Sequence, residues 1–129
     1  MSSPAKVLIV DDETGVRLLL ELVFREEGYQ VAAAANGLEA LQKVRSFQPD
    51  IVIMDIKMPI MDGLETLPRI KALSPLTKVI IITAYLEATT MKQVWERGAS
   101  GFLYKPFDLR DIKMAVRRLV EERDQAYGT

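Results

Sequence analysis

The chain contains no cysteine and no histidine in 129 residues. Without cysteine there is neither a disulfide framework nor a thiolate nucleophile, which fits a reducing compartment, so a cytoplasmic location is expected. Without histidine the commonest general base and the commonest transition-metal ligand are both missing. Any step that needs an imidazole must therefore borrow one from a partner. A formal net charge of −1 gives no global attraction to nucleic acid or to an anionic membrane, and neither partner is expected. No apolar run reaches the length needed to span a bilayer. The start, Met1-Ser2-Ser3-Pro4-Ala5-Lys6, leads into a short apolar run cut off by Asp11-Asp12-Glu13, which argues against a signal peptide. There is no internal repeat and no low-complexity linker. With 49% hydrophobic residues, the composition suits one domain over residues 1–129, with a core of about 5–121 and a polar tail at 122–129.

What is present is a set of short β-branched runs alternating with segments of helical periodicity, the pattern of repeated βαβ units. Strands are predicted at about Ala5–Val10, Gln30–Ala34, Asp50–Met54, Lys78–Thr83 and Gly101–Tyr104. The second is alanine-rich, as an edge strand can be. Helices are predicted from Thr14 to Glu27, Gly37 to Phe47, Leu64 to Leu73 and Glu87 to Arg97. Gly28 and Gly98 close the first and fourth, and Pro49 bounds the second. Asp108 reads as the N-cap of a fifth helix to about Arg123, with Ile112, Val116, Leu119 and Val120 on its inner face, and the polar stretch from Val120 to Gln125 is able to continue it into solvent. The central strands are apolar on consecutive residues, so helices should cover both sheet faces. Right-handed crossovers then give a doubly wound parallel α/β sandwich of three layers.

Four of the strand-like runs stop at a charged or hydroxyl residue: Asp11-Asp12, Asp55, Thr83 and Lys105-Pro106. On neighbouring parallel strands these ends share the edge where open α/β sheets place their sites. An aspartate ahead of a helix is often only an N-cap. Adjacent carboxylates beside a third would repel, however, and a bound cation is the usual relief. Oxygen-only ligands favour a hard ion such as Mg²⁺. Next to a metal, Asp55 becomes a candidate nucleophile, since carboxylates form aspartyl phosphates. Lys105 would pair with Asp55 and then with phosphoryl oxygens, and its X-Pro bond is a candidate for cis geometry. Thr83 would offer a hydroxyl to the same group.

Taken together, Val10-Asp11-Asp12-Glu13, Met54-Asp55-Ile56-Lys57-Met58-Pro59, Met61-Asp62-Gly63, Ile82-Thr83-Ala84-Tyr85 and Tyr104-Lys105-Pro106-Phe107 resemble the receiver domain of two-component response regulators, over about Lys6 to Leu119. The resemblance implies a flavodoxin-like sheet of order 2-1-3-4-5. It also implies that a histidine kinase or histidine phosphotransfer protein donates phosphate from its own histidine to Asp55. By the same resemblance Asp12, Asp55 and the backbone carbonyl of Lys57 bind Mg²⁺, with Asp11 assisting. The protein then carries the phosphate itself, loses it by self-dephosphorylation and is not an enzyme with an external substrate. A switch is implied as well, in which Thr83 moves to the phosphoryl group and the aromatic residue at Phe102 turns inward. Many receivers have tyrosine there, and Phe102 keeps the ring without the hydroxyl.

Two further expectations concern lifetime and partners. Lys57 and Tyr85 should flank the site and hinder the hydrolytic water, giving slow loss of phosphate. The run Gly15-Val16-Arg17-Leu18-Leu19-Leu20 is wider than one core face requires. Within the family the chain most resembles the single-domain regulators of sporulation-type phosphorelays, and Gly15, Val16, Leu19, Pro106 and Phe107 would then help dock the donor. Such a protein would be a monomer or a weak, phosphorylation-dependent dimer, passing its signal to a downstream phosphotransfer protein or effector. The alternatives are an amino-terminal receiver of a transcription factor, or an unphosphorylated receiver acting as a binding module. A flavodoxin-like cofactor binder is disfavoured because Asp11-Asp12-Glu13 would repel a phosphate. A haloacid-dehalogenase-type phosphatase would need its second aspartate two residues after the first, and no Gly-x-x-x-x-Gly-Lys loop supports a nucleotidase.

Overall fold

Strand and helix alternate strictly along the chain in a computed structural model that describes residues 3–84 and 87–128. The elements are β1 (Lys6–Val10), α1 (Thr14–Glu26), β2 (Gln30–Ala34), α2 (Gly37–Phe47), β3 (Ile51–Asp55), α3 (Gly63–Leu73), β4 (Lys78–Thr83), α4 (Ala88–Glu96), β5 (Gly101–Tyr104) and α5 (Leu109–Gly128). All strand pairs are parallel, in the order β2-β1-β3-β4-β5. The weak alanine-rich strand does lie at an edge.

Residue alternation along the buried strands divides the core into two halves, one per sheet face. Leu8, Val10, Val52, Met54, Val79 and Ile81 pack with Leu41 and Val44 of α2, Leu67 and Ile70 of α3, and Val94 of α4. Val7, Ile9, Ile51, Ile53, Ile80 and Ile82 face the other way, onto Leu20, Val23 and Phe24 of α1 and Ile112, Val116 and Leu119 of α5. Burying each such side chain contributes about 1.5–3 kcal/mol, so these two layers of branched residues hold the strand ends in fixed register.

Helix boundaries follow local chemistry. Gly28 and Gly98 take φ of 94° and 101°, left-handed values that suit glycine after a helix end. Asn36 and Asp62 cap α2 and α3 by accepting the N–H groups of Glu39 and Glu65. Pro68 lies inside α3 and cannot bond to the carbonyl of Leu64. Arg97 Nη1 donates to that carbonyl at 2.6 Å, so the oxygen freed by proline is satisfied from α4's end.

Several boundaries lie a residue from the sequence expectation, and two regions carry long-range contacts. Asp50 sits just before β3, where its N–H donates to the Lys6 carbonyl at 2.9 Å and its carboxylate accepts the Lys6 N–H at 2.8 Å and Arg123 Nη1 at 3.0 Å. Helix α5 runs on past Arg123 to Gly128, and Arg123 also donates to the carbonyl of Ser3 and to Asp124. The stretch that begins at 122 is therefore tied to the start of the sheet at Arg123. Arg123→Ala should lower the unfolding free energy by roughly 1–3 kcal/mol in denaturant titrations. Arg118→Ala, exposed on the same helix, should change it by less than about 0.5 kcal/mol. Equal losses would show that the clamp contributes nothing specific.

Candidate functional site

At the C-terminal edge of the sheet the ends of β1, β3 and β5 bring five charged side chains together. Asp55 closes β3, and its side chain is nearly buried. One of its oxygens, Oδ1, accepts the N–H of Ile56 at 2.7 Å, and the other accepts Lys105 Nζ at 2.9 Å. Asp11, fully buried just after β1, uses its oxygens in the same divided way. Its Oδ1 takes the Glu13 N–H at 2.9 Å and its Oδ2 takes Lys105 Nζ at 2.9 Å. The third donor position of Lys105 goes to Glu13 at 3.3 Å. Lys105 itself follows β5, where its N–H continues the ladder to the carbonyl of Thr83 and its bond to Pro106 is cis.

Burial alone would depress the Lys105 ammonium. The hydrogen bonds to Asp55 and Asp11, and the field of both carboxylates, outweigh it and hold the group above the ordinary lysine value of 10.5. At Asp11 the balance runs the other way. Burial raises its carboxyl above the ordinary 3.8, and the Glu13 N–H and Lys105 offset only part of that rise. Burial thus disfavours the charged form of Asp11 more than its hydrogen bonds favour it.

Asp12 is exposed beside the pair, and carboxylate oxygens of Asp11, Asp12 and Asp55 lie within 4.8 Å of one another. Neither Asp11 nor Asp12 caps α1. The N-cap is Glu13, whose side chain makes no cap bond, so the capping alternative for the acidic pair is set aside. Thr83 is fully buried at the end of β4, one residue past the Ile82 that pairs with Asp55, and is itself paired with Tyr104. Phe102 is partly buried against the core half below α4, and its ring meets Tyr104 edge-on with centroids 5.1 Å apart. The Tyr104 hydroxyl donates to Met91 Sδ on α4 at 2.9 Å.

The sequence profile of the response regulator receiver domain matches residues 7–117. Sporulation initiation phosphotransferase F of Bacillus subtilis is 48% identical over 113 residues, covering 88% of this chain and 91% of that protein. Regulatory protein AtoC of Escherichia coli is 38% identical over 121 residues, but the chain spans only 26% of its length. Among solved structures, a CheY-like receiver domain protein from Methanospirillum hungatei superposes with a TM-score of 0.92 at 30% identity, over 96% of this chain and 99% of that one. Vibrio cholerae chemotaxis protein CheY4 superposes with a TM-score of 0.85 at 31% identity, over 91% and 99%. The chain belongs to the response regulator receiver domain family. It is a signalling module of the kind used in two-component and phosphorelay systems.

The receiver's acidic cluster suits a hard divalent cation on its donor chemistry, since it offers oxygen only, from three carboxylates that can converge, one of them exposed to solvent. Lys57 is exposed next to this edge. Tyr85 lies outside the described residues. Of the docking candidates, Gly15, Leu19 and Pro106 are exposed, while Val16 and Phe107 are partly buried against the α1/α5 half of the core. Leu18 and Leu22, at 59% and 57% exposed, are more open than Leu19 at 43%. Among the described residues no helix is long and apolar enough to cross a membrane.

Two members of the receiver's polar cluster were not among the predicted site residues, although Glu13 falls within the first motif. Glu13 supplies a third carboxylate to Lys105, and Arg17 Nη1 donates to the backbone carbonyl of Asp11 at 2.7 Å. A basic residue in the first turns of α1, below two aspartates at the strand end, is the only signal that pointed to the second.

Proposed function

We propose that this receiver accepts a phosphoryl group from a partner histidine onto Asp55 with Mg²⁺, changes conformation and passes the signal on. The observation that carries the reading is the bridge from Lys105 to Asp55 and Asp11, residues 50 and 94 positions away that meet on one ammonium. A structural ion pair needs one carboxylate. An ammonium shared among three carboxylates leaves the cluster net negative, a surplus that a bound cation would relieve as the phosphoryl group is taken up.

In the transfer step a carboxylate oxygen of Asp55 attacks phosphorus, the P–N bond to the donor's imidazole breaks, and the ring nitrogen leaves with the electron pair. That imidazole comes from the partner, because this chain has no histidine. Lys105 releases Asp55 Oδ2 and follows the charge onto the phosphoryl oxygens. Thr83, at the adjacent strand end, offers its hydroxyl to another of them. Phe102 turns inward in response, so that the surface of α4 and β5 carries the state. Magnesium held by Asp12, Asp55 and the carbonyl of Lys57, with Asp11 alongside, would offset charge on the transferring group. The ring of Phe102 moves without a hydroxyl of its own.

The donor is a histidine kinase or a histidine phosphotransfer protein. The match to a phosphotransferase over 91% of its length favours onward transfer to another phosphotransfer protein, with the docking surface around Gly15, Val16, Leu19, Pro106 and Phe107. The second reading, a receiver that opens a longer transcriptional regulator, is supported by relatives such as AtoC. Both use the same site, and in neither does an external substrate turn over.

Borohydride trapping tests the assignment. After acetyl phosphate treatment, reduction of the acyl phosphate should leave homoserine at position 55 and nowhere else in the peptide map. Homoserine at Asp11 or Asp12 would overturn it. Lifetime is tested separately, because Lys57 and Tyr85 are proposed to slow hydrolysis. Lys57→Asn with Tyr85→Ala should speed loss of the phosphate about tenfold, and an unchanged decay rate would remove both residues from that role.

A further inference from the structure

The end of the sheet opposite Asp55 carries a cleft of about 560 Å³ that the phosphoryl chemistry does not use. It runs beneath the starts of β3 and β4, between the C-terminal ends of α2 and α3 on one side and the second half of α5 on the other. Val44, Ile51, Leu73, Leu76 and Leu119 give it apolar walls. Its volume lies in the range of small-ligand sites.

Both walls are fixed by polar contacts. Lys71 Nζ donates to the carbonyls of Pro75 at 2.8 Å and Thr77 at 2.7 Å, and the Thr77 hydroxyl donates to the carbonyl of Pro49 at 2.8 Å. Across the cleft, Arg123 spans Asp50, Asp124 and the Ser3 carbonyl. The loop between α3 and β4 is therefore pinned, yet it holds Leu76 78% exposed at the rim, with Leu73 43% exposed beside it. A leucine left in water by a pinned loop, at the lip of an apolar cleft, extends the wall that a ligand would cover.

Charge at the mouth selects the sign of that ligand. Asp50 is paired with Arg123, which also engages Asp124 outside the lining. Arg45 and Lys78 line the cleft, and neither has an ion-pair partner among the described residues. Glu122 is the one other carboxylate in the described lining and is exposed, so the mouth has a surplus of one positive charge. We propose that this cleft binds a small amphipathic anion, with its apolar body against Val44, Leu73, Leu76 and Leu119 and its carboxylate or sulfonate at Arg45 and Lys78. The site goes beyond the phosphoryl reading and does not rest on it.

Titration with the fluorescent aryl sulfonate 1-anilinonaphthalene-8-sulfonate tests this on the whole chain, followed by displacement with decanoate and with decyltrimethylammonium. The proposal expects saturable binding of one equivalent, displaced by decanoate and not by the cationic amphiphile. Charge reversal at the surface by Arg45→Glu with Lys78→Glu should weaken it about tenfold or more, as should Leu76→Asp, while both variants still unfold cooperatively. Leu18→Ser with Leu22→Ser, on the exposed face of α1, should leave it unchanged. Absence of saturable binding, equal displacement by both amphiphiles, or loss in the α1 variant instead of the cleft variants would overturn the proposal.

Discussion

Replacing Lys105 with methionine is expected to lower the unfolding free energy by about 3–5 kcal/mol at neutral pH in magnesium-free buffer. Methionine keeps most of the apolar stem and removes only the charge. Asp11 and Asp55, whose side chains are 0% and 9% exposed, then face each other across the sheet edge without a counter-ion. The pH dependence carries a sign that checks the cause. The raised ammonium of Lys105 contributes stability that is complete below the ordinary lysine value of 10.5 and is lost as pH rises through the higher folded value. The methionine variant lacks that alkaline loss. Asp11 is raised as well, so ionising it in the folded state is unfavourable and its contribution falls as pH rises above 3.8. The deficit of the variant should therefore shrink towards acid, where the carboxylates are protonated, and narrow again with added Mg²⁺. A difference below about 1 kcal/mol at neutral pH would mean that solvent, and not Lys105, balances the cluster.

The second large effect is steric. A Cβ on Gly63 would overlap the backbone carbonyl oxygen of Asp55 and stand 2.8 Å from the Cα of Ile56. The close approach exists because the Gly63 N–H donates to the Ile56 carbonyl at 2.6 Å, docking the start of α3 against the end of β3. Gly63→Ala must push that strand end away, which should cost roughly 3 kcal/mol. Displacing the proposed nucleophile by about an ångström should slow acetyl phosphate loading on the order of 100-fold. Gly15→Ala is the control. A Cβ there meets nothing within 4 Å, and an exposed helical alanine should stabilise by up to about 1 kcal/mol. If Gly63→Ala behaved like the control, the docking of α3 on β3 would not be what positions Asp55.

The strand ends were legible in the sequence because their cause is local. Consecutive apolar residues in β3 and β4 require a sheet covered on both faces, and a run that stops at Asp55 or Thr83 marks where the cover ends. Helix ends at Gly28, Gln48 and Gly98 were legible for the same reason, since glycine or the approach of proline is a property of neighbouring residues. What escaped depends on distant chain segments meeting. The Arg97 bond to the carbonyl that Pro68 leaves free joins residues 33 apart in sequence. The Arg123 clamp on Asp50 spans 73 positions, and it ties down a helix end that composition alone marks as a polar tail. At the site, Asp11, Asp12, Asp55 and Lys105 announce themselves by position. Glu13 and Arg17 do not, because an exposed glutamate and a helical arginine have the same sequence appearance whether or not they reach the Lys105 ammonium or the Asp11 carbonyl.

The most direct measurement is intact mass over time after mixing the protein with acetyl phosphate, with and without Mg²⁺, for wild type and Asp55→Ala. The account predicts a single phosphoryl adduct on the wild type that requires Mg²⁺, decays after the donor is removed and never forms on Asp55→Ala. An adduct that forms equally on Asp55→Ala, or none on folded wild-type protein with Mg²⁺ present, would contradict it.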